Sequence, residues 1–154
     1  MKKSLLLFFI IGACAGCMNI NRFERNVQIP GQEWRYAFEP EIRFDIMDTA
    51  SLYNVYLTLR HTDQYAYSNI WLEISTKQPG DTTFQKERFE LGLQEAGGKW
   101  LGTGYADIWE LRHLLLQSLK LRKAGTYTIR IRQIMRDEPL RHIMNVGVRI
   151  EKMK

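Results

Sequence analysis

The stretch YNVYLTLR, residues 53–60, sets Tyr53, Val55, Leu57 and Leu59 at every second position, with Asn54, Tyr56, Thr58 and Arg60 between them. Successive side chains of a strand point to opposite faces, so this order builds one apolar and one polar face, the mark of a half-buried strand. The same period recurs at Trp34, Tyr36 and Phe38; at Ile42, Phe44 and Ile46; and at Ile70, Leu72 and Ile74. It returns at Tyr127, Ile129 and Ile131, and at Val146, Val148 and Ile150. Turn chemistry falls between these runs, at Glu39-Pro40, Asp48-Thr49-Ala50, Gln78-Pro79-Gly80-Asp81 and Gly97-Gly98, at spacings typical of antiparallel sheets. The fold expected is all-β, an antiparallel β-sandwich with either an Ig-like or a jelly-roll-like topology.

Two places need separate reading. Across residues 107–118, Ile108, Leu111 and Leu115 have helical spacing and Asp107 stands where an N-cap would, so a short helix competes there with an extended segment. Tyr127, following Ala124-Gly125-Thr126, resembles the corner tyrosine of Ig-like sandwiches and reads as structural.

The N-terminus has a different character. Lys2 and Lys3 precede an unbroken apolar run from Leu5 to Ile11, far short of the roughly 20 residues a spanning helix needs. It reads as a secretory signal. Ala15-Gly16 directly before Cys17 resembles a bacterial lipobox, after which the cysteine thiol carries diacylglycerol and becomes the first residue. Ile11-Gly12-Ala13 before Cys14 fits the same pattern, so Cys17 is the expected lipidation site and Cys14 the alternative. Residues 1–16 are then signal peptide. Residues 17–33, which lack sustained periodicity and close on Pro30-Gly31, are the lipidated tether, and 34–154 are the sandwich.

Past Cys17 there is no cysteine. The domain therefore has no internal disulfide, thiol nucleophile or cysteine-based zinc site, and its stability comes from packing. The net charge of +5 is unevenly spread: residues 17–111 hold 9 basic and 14 acidic side chains, residues 112–154 hold 11 and 3. Strands distant in sequence interleave in a sheet, so basic strands beside acidic ones account for this asymmetry without an anionic partner. Nucleic acid is not expected, since no interleaved basic and aromatic motif is present.

Chemistry-bearing patterns are scarce. His61, His113 and His142 lie far apart, with no spacing that brings two onto one face for a metal. Gly97-Gly98-Lys99-Trp100 fails as a phosphate loop because Trp100 stands where Ser or Thr should hold magnesium. No GxSxG elbow is present, and nothing fixes the separation of Asp45 and Asp48 as an acid/base pair. No catalytic residue, metal or cofactor is expected.

One set of segments is more specific. Residues 60–72, RHTDQYAYSNIWL, residues 98–104, GKWLGTG, and Gly125-Thr126-Tyr127 running on to Gln133-Ile134-Met135-Arg136 together resemble the GldH family of gliding-motility lipoproteins, from about Trp34 to residues 146–152. The resemblance implies a Bacteroidota lipoprotein without enzymatic activity, accessory to the gliding apparatus and the type IX secretion system. Its implied partners are other gliding or secretion envelope proteins, and its N-terminal lipid implies a membrane. No acidic residue follows Cys17 closely, which by the same resemblance implies the periplasmic side of the outer membrane. A glycan-binding sandwich is the alternative, because tyrosine and tryptophan on such scaffolds stack on sugar rings.

The segment 60–69 joins two strands yet is longer than a two-residue turn and rich in polar and aromatic side chains. Tyrosine pairs apolar area with a hydroxyl that stays wet, which suits interfaces. Arg60, His61, Asp63, Tyr65 and Tyr67, beside Lys99 and Trp100, are thus the expected partner-binding residues. The competing reading has Tyr65 or Tyr67 folded back over the end of the sandwich.

Overall fold

The computed structural model describes residues 21–153; the expected signal peptide and the candidate lipidation sites Cys14 and Cys17 lie outside them. The described residues form strands β1 (Arg22–Gln28), β2 (Glu33–Trp34), β3 (Glu41–Ile46), β4 (Leu52–Thr62), β5 (Asn69–Lys77), β6 (Gln85–Gly92), β7 (Thr103–Tyr105), β8 (Ile108–Lys120), β9 (Gly125–Gln133), β10 (Leu140–Arg141) and β11 (Ile143–Lys152). A five-stranded sheet, β1-β11-β4-β8-β7, packs on a four-stranded one, β3-β9-β5-β6, and β2 pairs with β10. All neighbours are antiparallel. This is the expected β-sandwich.

The alternating residues supply its interior. Tyr53, Val55, Leu57, Leu59, Val146, Val148 and Ile150 face Ile42, Phe44, Ile70, Leu72, Tyr127, Ile129 and Ile131, all buried. Each fully buried side chain of this size contributes about 1.5–3 kcal/mol. Phe44 stacks on Tyr127 at 5.5 Å between centroids. The Tyr127 hydroxyl donates to the Lys123 carbonyl at 2.9 Å and accepts from the Lys123 N–H at 3.3 Å, so it ties back to the preceding turn as its sequence context suggested.

Between the two large sheets the chain passes directly from β3 to β4, from β4 to β5, from β6 to β7 and from β8 to β9. The β4–β5 connection is therefore a crossover from one sheet to the other, which is why it outruns a hairpin turn. The register of the pairs fixes two ends. At the near end β1, β4 and β9 begin and β3, β8 and β11 finish; at the far end β4 finishes and β5 begins.

Three expectations need correction. Residues 108–120 are strand, not helix: β8 runs antiparallel to β4 from Ile108 opposite Thr62 to Lys120 opposite Leu52, with irregularities in register between Tyr53 and Tyr56. A bulge adds an unpaired residue and re-aims its neighbours. Leu111, Leu115 and Leu119 consequently pack against the core at intervals of four, an interval that imitates a helix. Residues 22–28, expected within the tether, are edge strand β1, paired from Arg22 opposite Glu151 to Gln28 opposite Asn145. Among its seven residues Phe23 and Val27 pack on the core, too few to register as a period. The run Trp34, Tyr36, Phe38 is strand only to Trp34; the buried indole N–H donates to the Phe38 carbonyl at 2.8 Å and folds the following residues into a turn.

The outer faces interleave charge. Arg130 pairs with Glu41 at 2.6 Å, Arg132 with Glu73 at 2.8 Å, and Lys123 with Asp81 at 2.8 Å. The basic C-terminal third thus lies beside the acidic rest. Burial would raise the pKa of Glu73, but the Arg88 hydrogen bond and the charges of Arg132, Lys86 and Arg88 outweigh it and hold the carboxylate below its ordinary range. On the five-stranded sheet, Gly147 leaves room for the Thr58 hydroxyl to donate to Asn26 Oδ1 at 2.5 Å across β11; a Cβ there would overlap that oxygen and the Arg25 carbonyl.

Candidate functional site

The far end is closed by aromatic side chains. His61, the last inward residue of β4, is wholly buried. Its Nδ1–H donates to the Thr62 carbonyl at 2.8 Å, which makes Nε2 the lone-pair nitrogen, and Nε2 has no hydrogen-bond partner among the described residues. Around it stand Trp100, at 4.5 Å between centroids, and Tyr65, at 5.6 Å. Burial holds the His61 pKa below the usual histidine value, with the Thr62 carbonyl partly opposing.

Tyr65 is itself buried, and its hydroxyl donates to the Asn69 carbonyl at 3.0 Å. Burial pushes its pKa well above the ordinary tyrosine value. Tyr67 meets it edge-on at 5.8 Å and donates to Asp137 Oδ2 at 2.7 Å. The structure therefore brings His61, Tyr65, Tyr67 and Trp100 into one stack, with exposed Asp63 and Lys99 at its rim. Two of the expected partner-binding residues, His61 and Tyr65, are corrected to core: their rings hold the end together and present no contact surface. Arg60 is one residue out of phase with His61, so it faces outward from the five-stranded sheet, where it pairs with Glu110 at 2.5 Å. It does not join the stack.

Beside this stack lies an open groove of about 470 Å³ between Gln64, Tyr67, Arg136, Asp137, Pro139 and His142. Sequence reading missed what shapes it. Gln133 is buried, and its amide donates to the Trp34 carbonyl at 3.2 Å and the Asp137 carbonyl at 3.1 Å while accepting from the Met135 N–H at 2.8 Å. The Tyr36 hydroxyl donates to the Met135 carbonyl at 2.6 Å. One signal was available: Gln133 continues the inward series Tyr127, Ile129, Ile131 with a polar residue, and a polar group in a core position needs partners.

Among the described residues no group of three or more His, Cys, Asp or Glu side chains converges on a point that could hold a metal. The far end instead offers exposed charges and amides, Asp63, Gln64, Lys99 and Arg136, on a rigid aromatic base. Fold and site together define an antiparallel β-sandwich with a shaped polar end. Residues 21–150 match the GldH lipoprotein family, and the chain belongs to that family. It is 28% identical over 127 residues to a protein of Christiangramia forsetii named gliding motility lipoprotein GldH homolog, covering 78% of each chain. It is 26% identical over 129 residues to gliding motility lipoprotein GldH of Flavobacterium johnsoniae, covering 79% of each. No solved structure matches. A lipoprotein family implies an envelope protein anchored in a membrane.

Proposed function

We propose that this protein is a non-catalytic accessory lipoprotein of the gliding-motility and type IX secretion machinery, held on the periplasmic side of the outer membrane and docking onto other envelope proteins with its far end. The observation that carries this reading is the extent of the family match: residues 21–150 coincide with the folded unit from β1 to β11, so the whole sandwich is what the gliding-motility relatives share. The rim of exposed Asp63, Gln64 and Lys99 around half-buried Tyr67 is the docking surface. The rings behind it pack on one another, which leaves the glycan reading without a free stacking face there.

The test is complementation of a deletion strain, scored for colony spreading and for secretion of a type IX cargo. Asp63→Arg with Lys99→Glu should lose complementation at normal protein level and Tm. A deletion strain that spreads and secretes normally would overturn the reading; full complementation by the double variant would move the docking surface elsewhere.

A further inference from the structure

The near end of the sandwich is built differently. Its acids are engaged: Asp48 with Lys152 at 2.5 Å, Asp81 with Lys123 at 2.8 Å, Glu151 with Arg149, and Asp45 accepting from the Thr126 hydroxyl at 2.5 Å. Three exposed bases, Arg22, Lys120 and Arg122, form no ion pair among the described residues. Next to them Met47 is 77% exposed, Leu116 47% and Leu52 40%. Uncompensated cations mixed with exposed apolar side chains suit the headgroup region of an anionic bilayer, where the charge meets phosphate and the apolar groups meet acyl chain.

Chain length decides which end reaches the membrane. Arg22 opens β1 at the near end, and the Asn21 carbonyl accepts from the Lys152 N–H at 3.0 Å. Cys17 is five residues away, a leash of at most about 18 Å; from Cys14 it would be about 28 Å. β4 alone has 11 residues, about 36 Å from near end to far end. Neither leash is long enough for the sandwich to stand inverted on its far end, which would raise the near end about 36 Å from the lipid.

We propose that the near end is a second membrane contact, an anionic lipid-binding surface formed by Arg22, Lys120, Arg122, Met47, Leu52 and Leu116, which stands the sandwich upright on the bilayer. This rests on the lipoprotein reading of the N-terminus.

The test uses the full lipidated chain reconstituted in phosphatidylglycerol–phosphatidylethanolamine vesicles containing a headgroup-nitroxide lipid. No cysteine follows Cys17, so Met47→Cys, Leu52→Cys, Gln64→Cys and Lys99→Cys each provide one site for a bimane probe. Probes at 47 and 52 should be quenched and those at 64 and 99 should not. In Lys120→Glu with Arg122→Glu, or in phosphatidylcholine vesicles, near-end quenching should be lost while the protein stays vesicle-bound. Equal quenching at both ends, or near-end quenching that survives charge reversal, would overturn the proposal. Protein that fails to associate with vesicles would overturn the lipid anchor and the upright contact with it.

Discussion

The far end of the sandwich is sealed by large rings and the near end by short turns. At the far end Trp34, His61, Tyr65, Gln133 and Leu140 are buried, and Trp100 packs on His61. At the near end residues 47–51 and 121–124 connect strands directly, Leu121 plugs the interior, and polar groups secure the turn: Asp48 accepts from the Ala50 and Ser51 N–H groups, and the Tyr53 hydroxyl donates to the Asp48 carbonyl at 2.7 Å. Both ends must cover the gap between two sheets. The long connections do it with apolar volume, which makes the far end part of the core. Short connections leave bases and apolar side chains outside, which makes the near end a surface.

Substitutions at the two ends should therefore separate in size. Trp34→Ala, at the far end, should cost about 3–5 kcal/mol in equilibrium unfolding; a loss under about 1 kcal/mol would mean the far end is not core. Gly102→Ala should follow at about 1–3 kcal/mol, because Gly102 has φ +92 and a Cβ there would overlap the Glu110 carbonyl oxygen. Circular dichroism melts rank the two.

A pH series sharpens the comparison. His61 is held neutral in the folded protein by burial, so its contribution to stability is complete above the unfolded histidine pKa of about 6.5 and is lost as pH falls through the lower folded value. The depressed carboxylates Glu24, Glu41 and Glu73 act in a separate window, losing their contribution only below the ordinary glutamate range. Between pH 7 and pH 5, Tm should therefore fall more steeply in the wild type than in His61→Phe. Parallel slopes would place the histidine in contact with solvent. The smallest effect is expected from Met47→Ser or Leu52→Ser, within about 0.5 kcal/mol. A larger loss would make the near end core as well.

Legibility in the sequence followed the same division. Strands whose apolar residues keep a strict period of two, β4, β9 and β11, could be read directly, because parity picks out the core-facing side chains even where a polar neighbour such as Thr58, Thr128 or Arg149 is also covered. β8 could not, since its bulges replace that parity with intervals of four. Edge strands β1 and β6 were silent for another reason: an edge strand is protected by charge, and Lys86, Arg88 and Glu90 hide the apolar pair Phe89 and Leu91 between them. At the candidate site, the closeness of Trp100 to segment 60–69 and the folding back of Tyr65 over the sandwich end, the competing reading of that segment, were legible, but the depth of His61 was not. Whether an aromatic residue in a loop turns inward depends on where the chain changes sheets, and local sequence does not encode that crossing.

The length of β4 has one more consequence. In the proposed upright stance the sandwich would work as a spacer: its 11-residue central strand would lift the Asp63 and Lys99 rim about 36 Å from the lipid. Any protein that binds this rim would have to present its own contact at that height, so a partner lying flat on the bilayer would pass beneath it, and in this stance the lipoprotein would select by altitude before it selects by chemistry.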